Sequence, residues 1–259
     1  MGKLDINSPF QSAIGMGDLQ SVHKQNISSM IFNILGCLLF ILLGVWTFYA
    51  GLTYITAFPV FVIFGFALLL LGMGIYWAWK ILTLWGSQAA LYSNGFAHFD
   101  GKDTISFKWT EITSVTMQVT KMRVYHVIPV GTIRVYTIES PSAKLKLTGT
   151  LNKVDDLMFQ IRKNAFPHIV KRRVQDLDAG KTLEFGPVLV SRSEGIKIRN
   201  KKYGWTDIAK LNVINGAVEV VPKKKGFFQG ASAPVGSIPN LDVFMALSEV
   251  MIAQNSQPA

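Results

Sequence analysis

The chain has 259 residues, a formal net charge of +10, 49% hydrophobic residues and 16% charged ones, against about 25% charged in ordinary soluble domains. That length suits one or two domains. The single cysteine, Cys37, excludes a disulfide scaffold and is compatible with a reducing, intracellular setting.

Charge is unevenly placed, because no Asp, Glu, Lys, Arg or His occurs between Lys24 and Lys80. Residues 1–26 are rich in Ser, Gln, Asn and Gly and read as a flexible tail. The apolar run that follows begins later and is longer than the core of a secretory leader, so it is expected to be an uncleaved anchor. Met30 to Tyr49 is apolar apart from Asn33 and Thr47, and Phe58 to Trp79 carries only the Tyr76 hydroxyl and the tryptophan indoles as polar groups. About 20 apolar residues cross a bilayer core of roughly 30 Å, and a backbone in lipid must satisfy its own hydrogen bonds. Both stretches are therefore expected as transmembrane helices. Pro59 suits the first turn of the second. Trp46, Tyr49, Tyr54, Trp77, Trp79 and Trp85 lie towards the span ends, as an aromatic belt does. Asn33 and the glycines Gly36, Gly44, Gly65, Gly72 and Gly74 are placed to mark helix–helix contacts, which leaves a homo-oligomer through these helices open. Lys24 and Lys80 flank the pair opposite the uncharged Ala50–Ala57 link. The positive-inside rule then places both termini and everything after the hairpin in the cytoplasm, at the inner or plasma membrane.

From Leu91 on, short runs of Val, Ile, Thr, Tyr and Phe alternate with Gly, Asn, Asp and Pro, the texture of consecutive strands. Thr104–Trp109, Ile112–Thr120, Thr132–Glu139 and Lys144–Thr148 are expected strands. A helix follows, with Asn152 as its N-cap, Asp155 and Asp156 in its first turn, and Val154, Leu157, Met158, Ile161 and Ala165 on one buried face. Pro167 is expected to kink or end it, and the polar stretch up to Lys181 reads as a linker. Strands recur at Leu183–Phe185, Val188–Ser191, Ile196–Arg199, Ile208–Ile214 and Val218–Val221, and a last helix runs from Asn240 to about Ala253.

This order contains a repeat. Phe107-Lys108-Trp109-Thr110-Glu111-Ile112 matches Tyr203-Gly204-Trp205-Thr206-Asp207-Ile208, and Gly149-Thr150-Leu151-Asn152 matches Gly236-Ser237-Ile238-Pro239-Asn240. Trp109, Ile112, Trp205 and Ile208 are read as structural, a large ring filling a core before a turn. The arrangement resembles the pleckstrin-homology-like domains of bacterial membrane proteins, in which a twin-helix anchor precedes one or more such domains. The resemblance covers Leu91 to Ala253 and implies two bent, seven-stranded antiparallel barrels, each with a closing helix. The expected class is membrane α+β. The layout is a flexible tail (1–26), a transmembrane hairpin (27–86), a first pleckstrin-homology-like domain (87–173), a linker (174–181), a second domain (182–254) and a tail (255–259).

No catalytic or metal constellation stands out. Asp178-Ala179-Gly180-Lys181-Thr182 lacks the glycine a phosphate-binding loop needs, since Gln175 stands there. His23, His98, His126 and His168 are scattered without cysteines at metal spacing, and His98 and His126 read as surface residues. Neither a cofactor nor a metal is expected, and the chain reads as non-enzymatic. The basic runs invite a surface role. They are Lys171-Arg172-Arg173, the group around Lys197, Arg199, Lys201 and Lys202, and Lys223-Lys224-Lys225-Gly226-Phe227-Phe228. Lysines near an anionic leaflet contribute about 1 kcal/mol each, so Lys201, Lys202, Lys223, Lys224, Lys225, Phe227 and Phe228 are candidate membrane or ligand contacts. The competing reading is a solvated hairpin tip with both phenylalanines turned inward. The aromatics are not interleaved as in an RNA-binding signature, so no nucleic-acid partner is expected. The function expected is a membrane-anchored interaction module that binds a protein partner or the anionic cytoplasmic surface, with membrane lipids as partners. The alternative is an accessory subunit of a membrane enzyme or transporter, although the hairpin has none of the intramembrane ionisable groups of a transport pathway.

Overall fold

The computed structural model describes residues 10, 15–53, 60–124, 128–223 and 230–256. The fold is α+β: two apolar helices, several antiparallel sheets and a C-terminal helix. The chain forms two compact units. One holds the residues up to Ser106 together with Thr150–Val154, and the other holds Phe107–Gly149 with Asp155 onward.

In the first unit, α1 (Ile27–Thr53) and α2 (Val60–Leu84) form the apolar pair. Both exceed the expected spans. At 1.5 Å per residue each is roughly 40 Å long, long and apolar enough to cross a membrane. Asn26 caps α1, its side-chain oxygen accepting from the N–H groups of Ser28 at 3.1 Å and Ser29 at 3.3 Å. Small side chains bring the helices together. Cys37, Gly44 and Gly51 are the buried residues of α1 and recur every seven positions. A Cβ on Gly44 would stand 2.8 Å from Leu71, and one on Gly74 would stand 2.7 Å from Ile41. Gly36 likewise faces Trp77, whereas Gly65 and Gly72 meet nothing within 4 Å. Three of the five flagged glycines thus sit between the helices and two do not.

The sheet of this unit corrects the N-terminal expectation. Leu19–Lys24, assigned from sequence to a loose tail, forms strand β1, which pairs antiparallel with β2 (Gln88–Tyr92). Then follow β3 (Gly95–Phe99) and β4 (Thr104–Lys108), in the sheet order β1-β2-β3-β4. The helical pair is therefore inserted between two neighbouring strands, and Lys24 lies opposite Gln88 across it. Phe10 and Met16 pack on Ala90, Tyr92 and Ala97. Backbone bonds from Asn26 N–H to the Thr150 carbonyl and from Asn152 N–H to the Lys24 carbonyl, both 2.8 Å, tie in the Thr150–Val154 segment. His98, expected on the surface, is 7% exposed. Its Nε2 is 3.4 Å from the Ser87 hydroxyl, while Nδ1 meets no partner.

The second unit contains three further sheets. The first is β5 (Ser114–Val124), β6 (Ile128–Glu139) and β7 (Lys144–Leu147). The next is β8 (Leu183–Phe185), β9 (Val188–Ser191), β10 (Gly195–Ile198) and β11 (Lys201–Tyr203). The last is β12 (Ile208–Ile214), β13 (Ala217–Pro222) and β14 (Ser232–Pro234). Helices α3 (Val154–Asp178) and α4 (Leu241–Ser256) complete the chain. The expected apolar face of α3 is buried from Leu157 to Ala165, and burial continues at Ile169 and Leu177. Pro167 does not end it, so the stretch assigned to the linker is helical as far as Asp178.

Four strands, a tryptophan turn, three strands and a helix thus occur twice in sequence order. Both turns close in the same way. The Glu111 N–H donates to the Lys108 carbonyl at 2.9 Å, and the Asp207 N–H donates to the Gly204 carbonyl at 3.0 Å. Trp109 and Trp205 are each 4% exposed, and Ile112 and Ile208 are fully buried. The indole N–H of Trp205 donates to the carbonyls of Ser191 and Arg192, both at 3.0 Å. Before the closing helices, Lys153 (φ 53°) and Asn240 (φ 51°) take the same left-handed conformation. Lys153 therefore stands where Asn240 does. Asn152, expected as the cap, lies one residue earlier.

Candidate functional site

Strand β5 is an edge of its sheet. Its parity is set at Val115, whose N–H donates to the Asn240 side-chain oxygen at 2.8 Å and whose carbonyl accepts from the Asn240 N–H at 2.9 Å. Val115 therefore turns its backbone away from β6. Strand alternation makes Ser114, Thr116 and Gln118 the residues that pair with β6, and turns Met117 and Val119 outward as well. Among the described residues nothing bonds the outward N–H and C=O groups of Met117 and Val119.

The Val235–Ser237 turn packs against this edge at Met117, where a Cβ on Gly236 would stand 3.6 Å from the Met117 carbonyl. Towards Val119 the edge opens onto a groove of about 560 Å³, lined by Met117 to Thr120 of β5, by Val213 and Gly216 of the β12–β13 hairpin, and by Pro234 to Ser237. The hairpin turns at Asn215-Gly216, both with positive φ, as a two-residue turn of the primed type demands. Val119 and Val213 are 44% and 53% exposed. Met117 and Val235 also line a smaller hollow of about 80 Å³ beside Phe166, Ile169 and Val243. The Arg162–Asp242 ion pair belongs to the rim of that hollow.

Three groups support the strands. The Tyr136 hydroxyl on β6 donates to Asp155 at 2.7 Å, and Arg134 pairs with the same carboxylate at 2.6 Å. Burial, and then the Asp155 bond, push the Tyr136 phenol up to about 12. Arg172 of α3 donates to the carbonyls of Thr110, at 3.0 Å, and Ile112, and burial lowers its pKa. Arg173 lies over the Phe185 ring, 5.4 Å from its centroid. Two members of the Lys171-Arg172-Arg173 run are thus engaged within the protein.

The other basic candidates are dispersed. Lys201 and Lys202 stand on β11, and Lys202 pairs with Glu194 at 3.0 Å. Lys197 lies opposite Lys202 in the β10–β11 ladder, so the Arg199-Asn200 turn carries a concentration of positive charge. Lys223 follows β13, its N–H bonded to the Asp207 carbonyl at 2.8 Å. Lys224, Lys225, Phe227 and Phe228 lie outside the described residues, as does His126. Among the described residues no three His, Cys, Asp or Glu side chains gather at metal-binding distance. Sequence reasoning missed the β5 edge and its groove. The available signal was the outward valine at 119 in an otherwise polar run, and an asparagine immediately before the last helix.

No curated protein and no solved structure matches the chain. A family model does, over residues 10–257, which takes in the N-terminal strand, the apolar helices, both strand sets and the last helix. The chain belongs to the family of unknown function DUF6585.

Proposed function

We propose that this protein is a membrane-anchored interaction module that captures an extended segment of a protein partner on the edge of β5. The observation carrying this reading is the outward backbone of Val119, which faces the groove beyond the point where the Gly236 turn covers Met117. An extended chain laid there adds a strand, its backbone bonds supplying affinity and the groove selecting side chains. Anchoring is supported by the apolar helices. In the 18-residue apolar stretch of each span only 11% and 17% of residues are buried, whereas a core helix of a soluble domain would be covered. In water their exposed Leu, Phe and Trp side chains would form an apolar surface far beyond what soluble monomers carry. The twofold order of four strands, three strands and a helix supports tandem pleckstrin-homology-like domains. The Lys24 and Lys80 flanks support a cytoplasmic location for them.

Proline at Val119 tests the partner site cleanly. It deletes an outward N–H and spares the β6 ladder, a change edge strands tolerate. Full-length protein in lipid nanodiscs would be used to select peptides from a random displayed library. Selected peptides should bind the parent and lose about tenfold in affinity to Val119→Pro, the value of roughly one hydrogen bond, with thermal stability unchanged. Peptide binding equal in parent and variant would refute the edge-strand reading.

A second reading rests on the charge around the Arg199-Asn200 turn. Like charges opposite one another destabilise a ladder; Glu194 offsets Lys202, and an anionic leaflet would relieve Lys197. In that case Lys201 and Lys202 are shielded from acetylation in nanodiscs of anionic lipid, and salt removes the shielding. Equal labelling in neutral and anionic nanodiscs counts against it.

A further inference from the structure

We infer that the mouth of the helical hairpin is a binding site for the phosphodiester headgroup of an anionic phospholipid. The inference rests on the membrane anchoring proposed above. In the first unit, a cavity of about 190 Å³ lies between the start of α1 and the end of α2, its lining including Ser29, Met30, Asn33, Trp77, Lys80 and Ile81. It is far larger than one water needs and smaller than a drug-sized pocket of roughly 300 Å³. That size suits a headgroup and its glycerol, with the acyl chains remaining outside.

The lining has the chemistry of that ligand. On α1, Ser29 and Asn33 are four residues apart and share a face with Met30. On α2, Trp77, Lys80 and Ile81 do the same. Hydroxyl, amide and ammonium donors therefore stand beside apolar surface, as an amphiphile requires. Lys80 is the single charged residue of the two helices, and no ion pair engages it among the described residues. Its position four residues before the end of α2 puts its Cα about 6 Å inside the helix terminus. Its stem can then lift the ammonium to headgroup level. Asn33 lies about 9 Å along α1 from Ile27, its side chain exposed and, among the described residues, without a hydrogen-bond partner. A bare amide at that depth is costly in lipid, and an ester or phosphate oxygen would satisfy it. Free phosphate offers the same charge but nothing for Met30, Trp77 and Ile81.

The test uses the full chain, released from membranes into detergent and examined by native mass spectrometry with dioleoyl phosphatidylglycerol, dioleoyl phosphatidylcholine or inorganic phosphate added. Phosphatidylglycerol should remain bound as a single adduct, phosphatidylcholine should bind more weakly, and inorganic phosphate should not compete. Lys80→Gln and Asn33→Leu should each lower phosphatidylglycerol occupancy about tenfold, the loss of one hydrogen bond to a charged group. Lys210→Gln, on β12, should leave occupancy unchanged. Leucine is the natural occupant of an apolar helix, so Asn33→Leu keeps the hairpin intact. Alkaline carbonate extraction of the starting membranes reports anchoring separately. Release of the chain by carbonate overturns the anchoring and with it the site. A chain that stays in the membrane but binds both lipids equally, or keeps full occupancy in Lys80→Gln and Asn33→Leu, overturns the site alone.

Discussion

Asn240 should be the costliest polar residue to replace in the second unit. It is 6% exposed and holds a left-handed backbone conformation, φ 51°. Its side-chain oxygen accepts from Val115 N–H and its side-chain nitrogen donates to the Thr113 carbonyl, both at 2.8 Å. Its own carbonyl accepts the Phe244 N–H at 3.0 Å and opens α4. In Asn240→Ala the buried Val115 donor is orphaned, at about 1–3 kcal/mol, and the half-buried Thr113 carbonyl loses a bond worth about 1 kcal/mol. Alanine also meets the left-handed penalty of roughly 1–2 kcal/mol that asparagine largely escapes. The total, about 3–6 kcal/mol, is a large share of the 5–15 kcal/mol typical of a folded domain. Asn240→Gly escapes the conformational penalty and should recover about 1 kcal/mol. Urea unfolding of the full chain in detergent gives the energies, and hydrogen exchange along α4 locates the opening. An alanine variant within about 1 kcal/mol of the parent, or a glycine variant no better than alanine, would show that Asn240 does not pin α4 to β5.

His98 and Tyr136 give two further expectations. Burial lowers the His98 pKa, and Asp100 opposes it only in part. The unfolded chain therefore takes up the proton first on acidification. Stability attributable to His98 is present at neutral pH and falls as pH drops below about 6.5, by at most ~1.4 kcal/mol per pH unit. Melting temperatures of the parent and His98→Leu from pH 7.5 down to 5 should show the steeper decline in the parent. Tyr136→Phe removes the bond to the Asp155 carboxylate and should cost about 1.5 kcal/mol. The exposed Arg134–Asp155 pair that remains is worth under about 1 kcal/mol, so Arg134→Gln should have the smaller effect on the urea midpoint.

What was legible in the sequence follows the physics of each element. The apolar helices were plain because an uncharged run of that length has few alternatives. The strands and the tryptophan turns showed because β-branched runs and turn residues punctuate one another. Strand β1 was hidden because Leu19, Val22 and Lys24 are exposed on a sheet edge, which leaves no apolar alternation to detect. Helix α3 outlasts Pro167 because Ile169 and Leu177 are buried and Arg172 bonds the tryptophan turn, contacts between residues far apart in sequence. The free β5 edge depends on parity fixed by Asn240, 125 residues away, so no local pattern could disclose it. His98 was misplaced because its neighbours Ala97 and Phe99 alternate with it in a strand in which even the histidine faces inward.

The insertion of the helical pair between β1 and β2 leads to the last expectation. Lys24 and Gln88 are directly opposed strand residues, a separation of about 5 Å. The hairpin thus leaves the sheet and returns to nearly the same point. Replacing 27–85 by a short Asn-Gly turn should therefore close β1 onto β2 as an ordinary hairpin, with a smaller loop-closure cost than the native connection. A chain cut to begin at Leu91 fares differently. It lacks β1, most of β2, and Phe10 and Met16 from the core around Tyr92 and Ala97, and it exposes β3 as a new edge open to aggregation. Expressed side by side, the turn-bridged chain should be soluble without detergent and keep protected amides in β1 to β3, while the truncated chain should aggregate. Insolubility of both, or solubility of both with equal amide protection, would mean that β1 is dispensable and that the helical pair is merely appended to the sheet.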